Sequence, residues 1–339
     1  MTIELAKACL PKEIITALYA PKETFSEFEQ YDIKPSWLNL ISWFRKDSRI
    51  ALPLLAWAWT CRSRVTADVV ICSSSGWSHG VRTNRTTRKI VYCHNPARWL
   101  YQTSDYLFDQ RWYIRISLFV LKPFLLWWDR RAARSADIYI ANSTSVAKRI
   151  LMAYGRDSQV IFPPVSVDSG QPREPVPGVE APFFLMVGRS RGYKGAQPLV
   201  DAFRELPDHK LVIAGGNAIR NCPANVLPLG FVTEAQLRWL YANARALVSV
   251  SREDFGLTPI EANAFGTPAL LLRAGGFLDS TNEGVSGEFI EDTSVIEIKK
   301  AVRAFPKDWD REAILRHAEK FSPKTFEKAI KAIIIDLTS

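Results

Sequence analysis

Apolar runs of strand length that alternate with helical segments constrain this chain more than any other feature. FFLMVG (183–188), KLVIAGG (210–216) and ALVSVS (246–251) are continuous runs bounded by small residues. Between them, AQPLVDAFREL and EAQLRWLYANA carry apolar residues at helical spacing. A strand that is apolar on both faces must be covered on both, and the intervening helices supply the cover. The pattern therefore predicts an α/β fold with a parallel, doubly wound sheet. The first half repeats it in ADVVICSSS (67–75), KIVYCHN (89–95) and ADIYIANS (136–143), followed by VIFPPVSVD (160–168). A length of 339 residues suits two such domains.

The boundary falls in SGQPREPVPGVEAP (169–182), rich in Pro, Gly and charge, which reads as a linker. The expected division is a first domain over 1–168 and a second over 183–322. The last helix, PKTFEKAIKAIIIDL (323–337), has an apolar stripe and is expected to return to the first domain, bringing residues 323–339 with it. Two doubly wound domains would each offer the carboxyl ends of their strands to a central cleft, where ligands bind in such sheets.

Charge is distributed unevenly. Residues 1–170 hold 23 Lys and Arg against 14 Asp and Glu, whereas the remainder has 21 of each, so the whole net charge of +9 lies in the first half. Nine of the eleven tryptophans lie there too. Such a half suits phosphates, an anionic membrane leaflet, nucleic acid, or simply a solvated basic surface. No nucleic-acid recognition motif accompanies it, and no nucleic-acid partner is expected. Five cysteines, Cys9, Cys61, Cys72, Cys93 and Cys222, form no C-x-x-C pair, and their odd number argues against a disulfide framework and for a reducing cytoplasm. Residues 1–10 do not read as a cleavable signal. ISLFVLKPFLLWW (116–128) is shorter than a membrane span and is interrupted by Lys122-Pro123. It reads as a buried helix, with contact at a membrane surface as the alternative.

Three segments of the second half fall where strands give way to helices. VGRSRGYKG (187–195) ends a strand at Gly188 and continues as a basic loop. In it Arg189 and Lys194 are placed to reach phosphate oxygens, one as a fork and one as a point charge. In LGFVTEAQLRWLYANA, Thr233 reads as a helix cap, and the turn Gly230-Phe231-Val232 offers an apolar face and backbone groups to a base ring. An ordinary capped helix explains the same residues. The third segment, SREDFGLTPIEANAFGTPAL (251–270), sets Glu253 and Glu261 on either side of a Phe255-Gly256-Leu257 turn, in which glycine lets the backbone approach a ligand. Thr258 at a cap, Pro259 at the first helical position and Glu261 closing a capping box would account for Glu261 alone. A diphosphate held at the turn would instead place a sugar and a ribose on its two sides, within reach of one carboxylate each.

The E-x7-E spacing across F-G-L, preceded by R-x4-K and by the L-G-F-V-T-E…L-Y-A-N-A segment, resembles family 4 of the retaining GT-B glycosyltransferases. The likeness continues through AGGFLDSTNEGVSGEFI. In the first half, YCHNPARWLY, WWDRRAARSADIYIANS and YGRDSQVIFPPVSVD resemble the subgroup of O-antigen and exopolysaccharide mannosyltransferases. The resemblance implies a GT-B fold and transfer of a hexose from GDP-mannose or UDP-glucose to a glycan or lipid-linked oligosaccharide. Configuration would be retained, with no metal and no cofactor beyond the donor. It assigns Arg189 and Lys194 to the diphosphate, Glu253 to the transferred sugar and Glu261 to the ribose, with backbone contacts from Phe255, Gly256 and Leu257. It sets His94 opposite the reacting centre, His94, Glu253 and Lys194 forming the catalytic group. A catalytically inactive relative serving as partner or sensor is the rival reading.

Two further features bear on this. Asp308-Trp309-Asp310 has the D-x-D pattern of a metal site, but in KDWDREAILRHAEKF Asp310 reads as a helix cap. His79, in SGWSHGV, reads as structural. The chain also departs from the family at its start. MTIELAKACLPKEIITALYAP already lies inside what reads as the first helix, so the usual first strand and glycine loop are missing from it, which predicts either a hole in the first sheet or another segment in that position.

Overall fold

The computed structural model describes residues 1–46, 50–103, 112–188, 196–216 and 221–338. The chain forms two compact units, Met1–Phe162 with Phe326–Ser339, and Pro163–Thr325.

The second unit is built on one parallel sheet of six strands. They are β7 (Phe184–Val187), β8 (Leu211–Ala214), β9 (Val226–Gly230), β10 (Ala246–Ser249), β11 (Ala269–Leu272) and β12 (Gly287–Ile290). Their spatial order is β12-β11-β10-β7-β8-β9, every pair parallel. The first strand of the unit is thus central, and the order reverses beside it, as in doubly wound nucleotide-binding sheets. Alternate residues bury opposite faces. Phe184, Met186, Leu211 and Ile213 pack with Leu199, Phe203, Ile298 and Val302, while Leu185, Val212, Leu247 and Leu271 pack with Leu240, Ala262, Phe265 and Phe277. Both faces being apolar explains why these strands read as unbroken hydrophobic runs. The stretch 169–182 lies along this unit: Val176 is buried in it, and the Glu174 amide donates to the Ala235 carbonyl at 3.1 Å.

In the first unit the strands form two separate pieces of sheet. β1 (Ile14–Thr16) pairs with β2 (Ile33–Pro35), and separately β3 (Val69–Ser74), β4 (Arg88–Cys93), β5 (Ile138–Ala141) and β6 (Gln159–Val160) pair in that order, all parallel. Among the described residues, no strand joins β1 to β3. One face of the four-stranded piece, with Ile90, Tyr92 and Ile140, is covered by Leu5 and Ala8 of the helix Thr2–Cys9 and by Phe326, Ile330 and Ile333 of the helix Pro323–Thr338. The other face, with Val91, Cys93 and Tyr139, is covered by Leu125 and Trp128 of the helix Trp112–Ala133 and by Ile150 of the helix Thr144–Tyr154.

The helix Trp112–Ala133 corrects the expectation of a buried element. It runs through Pro123 without ending and buries Leu125, Trp128 and Ala133, while Phe119, Val120, Phe124 and Trp127 stay exposed. A length of sequence apolar all round implied burial on every side; here only one side is covered. Among the described residues, no helix is long and apolar enough to cross a membrane.

Candidate functional site

In a parallel sheet the loops that bind ligands leave the carboxyl ends of the strands, and the roomiest place is where the strand order reverses. Here that point lies between β7 and β10. The loop after β10 carries Glu253. The loop after β7 begins at Gly188, whose N–H donates to the Ala214 carbonyl at 3.0 Å, and runs into residues 189–195. Arg189 and Lys194 therefore lie outside the described residues.

Glu253 is half-buried and oriented by a chain of hydroxyls at the end of β10. Ser251 Oγ donates to Glu253 Oε1 at 3.1 Å and lies 2.9 Å from Ser249 Oγ. The next turn is held from beneath. Gly256 has φ +89°, and a Cβ on it would meet the Phe277 ring at 2.5 Å; a Cβ on Gly276 would meet Phe255 Cα at 2.2 Å. The Gly276 N–H donates to the Glu253 carbonyl at 2.9 Å. Phe255 is buried with its ring 5.6 Å from that of Phe321, which leaves its backbone as the part able to serve a ligand. Leu257 is 40% exposed.

The capping-box explanation of Glu261 does not hold. The helix spans Leu257–Asn263 with Gly256 at its N-cap and no side-chain cap bond, so Thr258 lies inside the first turn and Pro259 one position beyond it. A glycine in the left-handed region turns the chain into the helix without a capping hydroxyl. Glu261 Oε2 instead accepts from the Tyr241 hydroxyl at 2.7 Å. Tyr241 is buried, and its phenol is held well above its ordinary pKa first by burial and then by the Glu261 carboxylate, so it stays a neutral donor. Its ring stacks on Phe265 at 5.8 Å, and its carbonyl accepts from Thr267 Oγ1.

At the end of β9, Phe231 is 86% exposed whereas Val232 packs on the core. Thr233 caps the helix Glu234–Asn243 with a reciprocal box: Gln236 N–H donates to Thr233 Oγ1, and Thr233 N–H to Gln236 Oε1, both at 3.1 Å. Phe231 is thus an apolar ring presented by a rigid turn. Asp310, of the D-x-D, accepts from the Ala313 N–H at 3.0 Å as an N-cap. Among the described residues no three His, Cys, Asp or Glu side chains are grouped to hold a metal ion.

Two histidines belong to the first unit. His94 follows β4; its N–H donates to the Ser74 carbonyl at 2.8 Å, its Nε2 lies 2.9 Å from Ser73 Oγ, and that hydroxyl lies 3.2 Å from Thr2 Oγ1. It is half-buried at the carboxyl ends of β3 and β4. His79 is buried, with Nε2 3.1 Å from Asp129 Oδ1 and Nδ1 3.3 Å from Ser74 Oγ. The Tyr101 hydroxyl donates to the other oxygen of Asp129 at 2.9 Å, so this group is an internal polar bridge.

Sequence reasoning passed over the supports of the site: Tyr241, Ser249, Ser251 and Gly276. The glycine pair in AGGF was the available signal; the Tyr241–Glu261 contact joins residues twenty positions apart and leaves none.

Two family models tile the chain: "Glycosyltransferase Family 4" matches residues 1–169 and "Glycosyl transferases group 1" matches residues 171–324. The chain belongs to the GT-B glycosyltransferases of this kind. It is 32% identical to an uncharacterized glycosyltransferase of Methanocaldococcus jannaschii over 41% of this chain and 39% of that one. To the D-inositol 3-phosphate glycosyltransferase of Xylanimonas cellulosilytica it is 25% identical, over 58% and 55%. It thus spans between about two-fifths and just over half of the length of these relatives. With the human alpha-1,3/1,6-mannosyltransferase ALG2 it shares 23% identity over 98% of this chain and 90% of that one. Among solved structures, sucrose-phosphate synthase from Thermosynechococcus elongatus superposes with a TM-score of 0.70 at 17% identity, covering 99% and 92% of the two chains. Anabaena HepE in complex with UDP-glucose gives 0.64 at 17% identity, covering 99% and 94%. These likenesses establish the fold: two Rossmann-like α/β units with parallel sheets.

Proposed function

We propose that this glycosyltransferase moves a hexose from a nucleoside-diphosphate sugar to a glycan or lipid-linked oligosaccharide, with retention of configuration and without a metal. The observation that carries the reading is the braced loop Ser251–Gly256 beside the strand-order reversal, with Glu253 oriented by Ser251. In this reading Glu253 accepts from hydroxyls of the transferred sugar, and Glu261, held by Tyr241, accepts from the ribose. Phe231 stacks on the base. Arg189 and Lys194 meet the diphosphate, and the backbone of Phe255, Gly256 and Leu257 completes the grip. No side chain here is assigned as a nucleophile, so the acceptor oxygen attacks on the face the diphosphate leaves. The sugar–phosphate bond breaks, the new glycosidic bond forms, and the acceptor proton passes to the departing phosphate oxygen. His94 then orients the acceptor.

UDP-glucose in the Anabaena HepE structure and the mannosyl transfer in the name of human ALG2 support the two donor candidates, UDP-glucose and GDP-mannose. The divided sheet of the first unit favours a second reading, a relative that binds a donor or partner without turnover.

The test is transfer from labelled GDP-mannose and UDP-glucose, with and without chelator, and calorimetry of Lys194→Ala. Product with a retained anomeric centre at an unchanged rate in chelator is expected, with nucleotide binding weakened by about 1.5 to 3 kcal/mol in the variant. Unchanged binding by Lys194→Ala removes that lysine from the site. Donor binding with no hydrolysis or transfer selects the second reading.

A further inference from the structure

The outward side of the helix Trp112–Ala133 combines two properties that a solvated surface does not need together. Phe119, Val120, Phe124 and Trp127 expose 80%, 68%, 59% and 59% of their surface. At 100° per residue these four and Pro123 span about 140° of the helix surface, away from the buried Leu125, Asp129 and Ala133. The exposed cations Arg130, Arg131 and Arg134 fall on the same side, after the aromatic stretch. Only one acid occurs in residues 112–134, Asp129, and it is fully buried against His79 and Tyr101. The described residues of this helix therefore put positive charge on its outward side with no carboxylate of the helix beside it. The Phe124 and Trp127 rings lie 6.0 Å apart, and the Arg131 guanidinium lies 6.0 Å from the Trp127 ring.

We propose that this face seats the protein on the surface of an anionic lipid bilayer, lying in the interface rather than crossing it. Aromatic rings suit the boundary between headgroups and acyl chains, and the arginines meet lipid phosphates. Charge complementarity selects the partner. A protein partner of ordinary composition gains nothing from a wholly basic rim, and duplex nucleic acid gains nothing from four exposed apolar side chains. All of the chain's excess positive charge lies in residues 1–170, so the attraction acts on this unit. The proposal goes beyond glycosyl transfer and names where a lipid-linked acceptor would be met.

The test is co-sedimentation of the full chain with vesicles of phosphatidylcholine alone and of phosphatidylcholine with an equal amount of phosphatidylglycerol. Binding to the anionic vesicles is expected, declining as salt screens the arginines, with little binding to the neutral ones. Each arginine near such a surface is worth about a fivefold change in partition, so Arg131→Glu with Arg134→Glu weakens binding by at least about thirtyfold. Phe124→Ser with Trp127→Ser weakens it at low and high salt alike. The melting temperature and donor affinity of the arginine variant stay at wild type, because those residues are exposed and belong to the other unit from the donor loop. Equal binding to both vesicle types overturns the proposal. So does undiminished binding by the arginine variant, or retention of duplex DNA without vesicle binding. Vesicle binding without sugar transfer refutes only the enzymatic reading, and transfer without vesicle binding refutes only this one.

Discussion

Gly276→Ala tests whether the loop bearing Glu253 is placed by close backbone approach. The new Cβ would lie 2.2 Å from Phe255 Cα, 2.3 Å from the Asp254 carbonyl oxygen and 2.5 Å from its carbon, all backbone atoms that no rotamer change can remove. Ordinary contact begins near 3.4 Å. Either residues 254–255 retreat by about 1 Å or the Gly276 segment does, and each movement breaks the 2.9 Å bond from Gly276 N–H to the Glu253 carbonyl. Retreat is resisted by the Phe255–Phe321 contact and by Phe277 beneath Gly256. Overpacking of this kind costs about 1 to 3 kcal/mol, and a displacement of 1 Å at a reacting group costs on the order of a hundredfold in rate. Calorimetric melting and kcat/KM for transfer are the measurements. Gly284→Ala is the control: it strains an alanine at φ +75° while its added Cβ would meet nothing within 4 Å, whereas Gly276 lies at φ -74° and its added Cβ brings only the clash. A large rate loss in Gly276→Ala alone is expected. Wild-type turnover in Gly276→Ala, or equal losses in both variants, refutes the close-approach argument.

Two further outcomes follow from the same region. Tyr241→Phe removes the hydroxyl that donates to Glu261, at an expected cost of about 1.5 to 3 kcal/mol in stability together with weaker nucleotide binding; stability loss with intact nucleotide affinity ends the ribose role of Glu261. His317 is buried with Nε2 3.1 Å from the Ser280 carbonyl, and burial lowers its pKa below the ordinary 6.5. Its contribution to stability is therefore complete above pH 6.5 and is lost as pH falls through the lower folded-state value. His317→Gln should flatten the acid side of the second unit's melting profile, and an unchanged slope between wild type and variant would remove His317 as the cause.

Where burial is total, strand and residue type agree: β7, β8 and β10 are unbroken apolar runs because both faces of their sheet are covered. Local chemistry was equally readable at Thr233 and Asp310, whose caps close within three residues of sequence. Glu261 was not readable in this way. The string T-P-I-E imitates a capping box, and only the left-handed Gly256 and the distant Tyr241 show that its carboxylate is used elsewhere. β9 escaped notice because Pro228 interrupts its apolar run, which an edge strand tolerates. The helix Trp112–Ala133 shows the limit of composition, since an apolar sequence does not say which of its sides finds a neighbour.

The last helix has a consequence for how the protein comes into being. Ile90, Tyr92 and Ile140 leave the ribosome well before the side chains that complete their cover, Phe326, Ile330 and Ile333, with the second unit in between. At 5 to 20 residues per second the interval is roughly 10 to 40 s. Throughout it that apolar sheet face is covered only in part, by Leu5 and Ala8, and all of the second unit must be made before it can close. The maturation of the first unit therefore waits on the synthesis of the second, and the nascent chain carries this aggregation-prone face throughout that interval.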